Sequence, residues 1–143
     1  MNKVFLAILW HQHQPYYKDL VTGEMLMPWV RLHGIKDYIG MVDILDEFPN
    51  LRLTFNLVPS LIQQLEDYVH GTCTDRFLTL ARKPAAELEE DEIKFILDHF
   101  FMANWEHMIN SHPRYGELLA KRNFERRSAE KVWRRFSRDE LRD

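Results

Sequence analysis

The sequence predicts an α/β protein that opens with parallel strands and continues as helices. Three observations carry this. Val4 to Trp10 is a short, continuous apolar run bounded by polar residues, the pattern of a strand covered on both faces in a parallel sheet. Leu51 to Asn56 alternates, with Leu51, Leu53 and Phe55 facing one way and Arg52, Thr54 and Asn56 the other, which is the period of a second strand. A helical pattern follows each run, and strand–helix–strand–helix order calls for parallel pairing through right-handed crossovers. From Thr74 onward only helical patterns remain. The expected division is therefore 1–72 as two β/α units and 73–143 as a helical region.

The elements follow in order. His11, Gln12, His13 and Gln14 sit at the end of the first strand, and Tyr16 to Met27 reads as a loop containing Gly23. Pro28 to Glu47 is helical, with Ile35, Tyr38, Ile39, Val42 and Leu45 on one stripe, and Pro49 and Asn50 stop it. Pro59 opens the next helix near its first turn. Leu61, Ile62, Leu65, Tyr68 and Val69 line its apolar face, and Gly71 suits a C-terminal cap. Thr74 is placed to cap a short helix to Arg82, which Pro84 ends. The acidic run Glu89–Glu92 favours a helix start, and Glu90 to Ile109 reads as one long helix carrying Ile93, Ile96, Leu97, Phe100, Phe101, Trp105 and Met108. Pro113 to Lys121 forms a short helix, and Ser128 caps a segment with Val132, Trp133 and Phe136. Ser137 and Glu140 have the S-x-x-E spacing of a capping box, three residues before the last one. Two strands do not make a stable closed sheet, so the sequence reads as the N-terminal part of a larger domain.

Composition excludes several classes. With 45% hydrophobic residues the chain has material for a packed core, which disfavours disorder. A net charge of −3 gives no global attraction to nucleic acid or to anionic membranes. Residues 121–143 are net +4, but their mixed signs describe a solvated helix face. The lone Cys73 forms no internal disulfide. The N-terminal apolar run leads into HQHQP, which is no signal-peptide cleavage site, and no stretch approaches the ~20 apolar residues of a membrane span. A cytoplasmic protein without nucleic-acid or membrane partners is expected. His99 and His107, two helical turns apart, lack a third ligand, so neither a metal nor another cofactor is expected.

The candidate site gathers at the strand ends, where parallel α/β folds place their sites. His11, His13 and Gln14 are hydrogen-bonding groups suited to a hydroxyl-rich ligand. In a strand-like stretch His11 and His13 point to the same side, and Pro15 stiffens the exit. One of these histidines serving only core hydrogen bonds is the competing reading. Asn56 ends the second strand and is divided between ligand contact and a turn-forming role. Trp29, Arg31 and His33 form a second cluster, either stacking on and holding a sugar or packing with a salt bridge.

HQHQPYY at 11–17, MPWVRLHGIKDYIGMVDIL at 27–45 and FPNLRLTFNLVPSLIQQL at 48–65 together resemble the opening of glycoside hydrolase family 57, closest to its α-amylase-like members. The family's first signature, HQP, falls on His13, Gln14 and Pro15. The similarity is clear over 3–70. The resemblance implies the first two units of an incomplete (β/α)7 barrel, with 73–143 as a helical insertion between barrel strands. It implies a retaining mechanism on α-glucans or oligosaccharides, by a glutamate nucleophile and an aspartate acid/base about 5–5.5 Å apart. Neither later signature is found here, so no residue of this chain inherits those roles, and the chain alone is expected to be inactive. By resemblance His13 lies near the nucleophile and the bound glucosyl unit, with His11 and Gln14 close by. Two alternatives stay open: a metal-dependent hydrolase of amidohydrolase type that uses the H-x-H at 11–13, and a non-catalytic glucan-binding protein.

Overall fold

The computed structural model describes residues 3–128 and 132–143. The chain divides into two compact units, Met1–Leu78 and Thr79–Asp143. Among the described residues the fold is mixed α/β, with two strands and seven α-helices.

In the first unit, β1 (Leu9–Gln12) and β2 (Thr54–Leu57) pair in parallel, as the strand–helix–strand order requires. Their register sets Leu9 against Thr54, Trp10 against Phe55, His11 against Asn56 and Gln12 against Leu57. Both strands are displaced from expectation. Val4, Phe5 and Leu6 precede β1 and are 85–92% exposed, so the apolar run is not covered on both faces. The ladder begins only where β2 stands opposite. β2 in turn starts late because Leu51 N–H bonds back to Phe48 C=O (2.9 Å) and the Arg52 guanidinium caps the Pro49 and Leu51 carbonyls.

The helical stretch between the strands is continuous but irregular. It runs through α1 (Trp29–His33), a π-turn at Gly34–Tyr38, α2 (Ile39–Asp43) and a 3-10 turn at Ile44–Glu47. The wider π-turn breaks the 3.6-residue period halfway along the expected stripe. Ile35, Ile39 and Val42 are consequently exposed, and the buried contact comes from Val30. Gly34 explains how close α1 approaches its neighbour. A Cβ there would lie 2.9 Å from Leu65 Cδ2 of α3 (Pro59–Val69). That helix opens on Pro59 and buries Leu61 and Gln64 completely. It ends at His70, followed by Gly71 at φ 68°, a left-handed position that favours glycine. The expected loop at 16–27 is tighter than a coil: Lys18 and Met25 bridge antiparallel, and Gly23 turns at φ 77°.

α4 (Arg76–Arg82) carries the chain from one unit to the next. Its cap is Asp75, whose carboxylate accepts from Leu78 N–H at 2.8 Å, one residue beyond the Thr74 expected from sequence.

The second unit packs α5 (Glu90–His99), α6 (Pro113–Ser128) and α7 (Arg138–Arg142) around Leu88, Ile93, Ile96, Leu97, Phe101, Ile109, Leu118, Leu119 and Phe136. The long helix expected over 90–109 breaks after His99. Asn104 accepts from His107 N–H (2.8 Å) and starts a separate π-turn at Trp105–Ile109. His99 and His107 therefore share no helix face. His99 instead stacks on Phe95, centroids 4.2 Å apart, and bonds its carbonyl. α6 is longer than the expected 113–121, and Ser128 is its last residue rather than a cap. The segment it was expected to open runs through 129–131, outside the described residues.

Both acidic helix starts are capping boxes, Glu89 with Glu92 and Ser137 with Glu140. Arg122 is buried, and its Nε donates to the Leu97 carbonyl at the end of α5, where a cation meets the negative end of the helix. Ile109 is fully buried in this core. Ile109→Ala should cost about 2–5 kcal/mol, read as a shifted urea midpoint with an unchanged slope; a loss under ~1 kcal/mol would show that Ile109 is not a core anchor.

Candidate functional site

The parallel register brings His11 and Asn56 side by side at the C-terminal ends of the two strands. His13 follows two residues later, and its ring lies parallel to that of His11, 5.7 Å between centroids and 9° between planes. This is the same-side placement that strand alternation requires. All three residues are exposed. Among the described residues, none of their side chains makes a protein hydrogen bond, so their donors and acceptors remain open. Gln12, between the histidines, is turned the other way: it is 5% exposed and directs Nε2 at the Met41 sulfur (3.4 Å).

Gln14 is partly committed. Its Nε2 donates to the Tyr38 hydroxyl at 2.9 Å, and its Oε1 accepts from the Tyr17 hydroxyl at 3.3 Å. Burial, with Tyr38 adding to it, pushes the Tyr17 phenol up, which keeps it a neutral donor. Tyr38 in turn donates to the His13 carbonyl at 3.3 Å. The π-turn ends on Tyr38 and so sets the position of this hydroxyl.

The backbone of the same segment is held from α3. Gln64, 0% exposed, accepts from Tyr17 N–H (2.7 Å) and donates to the carbonyls of Pro15 (2.9 Å) and Ser60 (2.7 Å). Ser60 Oγ donates to the Gln14 carbonyl at 3.0 Å. Pro15 has no N–H to offer, so the clamp takes its carbonyl and the amide of Tyr17, two residues on.

The second cluster divides. Trp29 and His33 lie one turn apart, centroids 6.2 Å, and His33 is equally far from Tyr38. His33 Nδ1 is 2.5 Å from Asp37 Oδ2, a bond that, with Lys36 nearby, holds the Asp37 carboxyl below its usual range. Arg31 is taken elsewhere. Its Nε and one terminal nitrogen grip Asp75 at 2.8 and 3.2 Å, a bidentate pair that also receives the Tyr68 hydroxyl (2.9 Å). Of the two readings of Arg31, holding a ligand or making a salt bridge, the structure shows a salt bridge, with a buried partner. The reason is burial: Asp75 has no exposed side-chain surface, and a buried carboxylate requires a partner. Burial alone would raise the Asp75 carboxyl, but Arg31, Leu78 N–H and Tyr68 together hold it lowered.

Sequence reading passed over Tyr17, Tyr38, Ser60, Gln64 and Asp75. Gln64 was the most legible, a glutamine on the apolar side of a helix between Leu61 and Leu65. For the others, the bonds that hold the strand exit and pair Asp75 with Arg31 span 24–49 residues, beyond what a local pattern can show.

An α/β unit with imidazole and carboxamide side chains open at the ends of parallel strands is a protein with a polar strand-end site, of the kind that suits a hydroxyl-bearing ligand. Residues 7–137 match the model of Glycosyl hydrolase family 57, and the chain belongs to that family. No curated protein and no solved structure matches it. Membership gives a function of the glycoside hydrolase or transglycosylase kind, and hence a carbohydrate substrate. No helix among the described residues is long and apolar enough to cross a membrane, and those residues hold no group of three side chains able to bind a metal ion.

Two consequences can be measured. The Asp75 carboxyl is lowered in the fold relative to about 3.9 when unfolded. It therefore contributes stability above that value and loses it as pH falls through the folded one. Asp75→Ala should cost about 3–5 kcal/mol at neutral pH, and the gap to the unsubstituted chain should narrow below about pH 4; a gap independent of pH would remove the charge from the explanation. Gln64→Leu keeps volume but leaves the Tyr17 amide and Pro15 carbonyl unpaired. It should cost about 1–3 kcal/mol and speed hydrogen exchange at Tyr17, whereas unchanged Tyr17 protection would contradict the clamp.

Proposed function

We propose that this chain forms part of the sugar-binding wall of a retaining enzyme acting on α-glucans, a hydrolase or transglycosylase of α-amylase-like type. One observation carries the reading. His11, His13 and Asn56 converge at one strand end with their hydrogen-bonding capacity uncommitted, while the groups beside them are locked. In a family of glycosidases, such a row offers donors and acceptors to the hydroxyls of a glucosyl unit. Gln14 retains one N–H and one lone pair for the same purpose. Trp29, half-buried with its ring 6.2 Å from that of His33, offers an indole face for stacking on a sugar. Arg31 belongs to the framework.

The retaining chemistry needs a carboxylate nucleophile and a carboxylic acid about 5–5.5 Å apart. In this reading both come from sequence outside these 143 residues, and the two β/α units belong to a (β/α)7 barrel. The described strand end contributes positioning and hydrogen bonds that strengthen as charge develops on the ring.

The test uses the complete coding sequence. His13→Ala should lower turnover on maltooligosaccharides by roughly 100-fold or more, the scale of one preorganised hydrogen bond, with stability changed by no more than ~1–2 kcal/mol. Loss of a stoichiometric bound metal together with activity would favour the H-x-H hydrolase instead. Near-normal turnover in a folded His13→Ala protein would take His13 out of the site.

A further inference from the structure

The strand-end site has an unusual division between open and committed groups. Gln14 is the member that belongs to both. A primary carboxamide has two N–H donors and two lone pairs. In the fold one N–H goes to the Tyr38 oxygen at 2.9 Å and one lone pair takes the Tyr17 proton at 3.3 Å. One donor and one acceptor remain, and the amide can present them in only one sense. Rotating it by half a turn would set the Gln14 oxygen against the Tyr38 oxygen, whose proton is directed to the His13 carbonyl, and the Gln14 NH2 against the Tyr17 hydroxyl.

The two tyrosines are not equal in this. Tyr38 makes the shorter contact and touches two consecutive residues of the strand end, the Gln14 side chain and the His13 backbone. It is also the last residue of the π-turn that departs from regular helix. The wider π-turn shifts the helical phase at this residue relative to a regular helix, so the turn helps set where the phenol stands. Gly34 at the start of that turn allows the close approach to Leu65 that seats the helix on α3.

We infer that Tyr38 is a positioning residue of the strand-end site: its hydroxyl fixes the amide orientation of Gln14 and holds the carbonyl of His13, so that the free N–H and lone pair of Gln14 stand in a set direction at the strand exit. This deepens the proposed function and rests on it for the identity of the ligand. It does not rest on it for the contact itself. The ligand chemistry is that of vicinal hydroxyls, which need a donor and an acceptor at fixed separation.

The experiment uses the protein expressed from the complete coding sequence, labelled with 15N. The Gln14 side-chain amide is followed by NMR without ligand, and affinity for maltoheptaose is measured by titration. Four proteins are compared: unsubstituted, Tyr38→Phe, Gln14→Leu and the double variant. Tyr38→Phe keeps the ring and removes only the oxygen. It should leave the backbone spectrum in place but broaden or shift the Gln14 amide pair, and it should weaken maltoheptaose binding roughly three- to tenfold. In the Gln14→Leu background the same substitution should change affinity less than about twofold, because its route to the ligand is gone. A Gln14 amide unmoved by Tyr38→Phe overturns the inference, whatever the sugar does. An equal loss of affinity in both backgrounds overturns it too, since Tyr38 would then act without Gln14. If the unsubstituted protein binds no maltoheptaose while Tyr38→Phe still loosens the amide, the positioning contact stands and the glucan reading fails.

Discussion

One buried carboxamide sets the geometry on which the first unit's site depends. Gln64 is fully enclosed, and a buried amide must satisfy its donors and acceptor. It does so on three backbone groups, two of them in the segment that leaves β1. The segment has no ladder partner after Gln12, and Pro15 removes one of its own donors. Without an outside clamp, the residues after the strand would be free to leave the site. Gln64 supplies it from α3, whose own placement is fixed by Pro59 at its start and Leu61 in the interior. The exit from the strand is thereby written into the helix that follows the next one.

The second fixed point is ionic. Asp75 has no exposed side-chain surface, yet it carries charge because Arg31, Tyr68 and Leu78 N–H all bond it. Arg31 stands on α1, Tyr68 on α3, and Asp75 at the start of α4. One carboxylate thus fastens three helices, and its backbone bridges to Met25 in the loop. Such a pair resists rearrangement because removing either partner strands a charge. Stability and ligand binding are therefore assigned to different polar residues within one cluster of sequence. In the proposed reading PWVRLH holds a sugar-stacking ring in Trp29 beside a structural cation in Arg31, two positions apart on the same short helix.

How far this was legible from sequence follows from the range of each interaction. Parallel pairing, the Pro59 helix start, the Gly71 turn and the Ser137–Glu140 capping box depend on residues close in sequence or on element order, and the structure has them all. The apolar stripe from Ile35 to Leu45 failed because a π-turn costs the pattern its phase, and nothing local in GIKDY announces one. The long helix over 90–109 failed for the opposite reason. Its apolar spacing persists across the break, but Asn104 offers a side-chain cap that competes with the backbone. Strand-end placement of His11, His13 and Asn56 was readable. The commitment of Arg31 to Asp75 was not, since it joins residues 44 apart.

The same distinction explains why the strand end is chemically useful. A side chain bonded on every side is a poor ligand group, because binding must first break what it has. A side chain bonded nowhere is open but disordered, and ordering it on binding costs entropy. His11 and His13 lie between these limits. Their rings are stacked against each other and emerge from a backbone held by β2 and by Gln64, so position is constrained while the nitrogens stay open. Gln14 lies between them in another way, half of its amide spent on tyrosines and half retained. A ligand meeting this row finds groups already in place without having to displace a protein bond. In the proposed role, groups held in this way are what hydrogen bonds that strengthen in a transition state require, and they lie within one parallel strand pair and the turn that follows it.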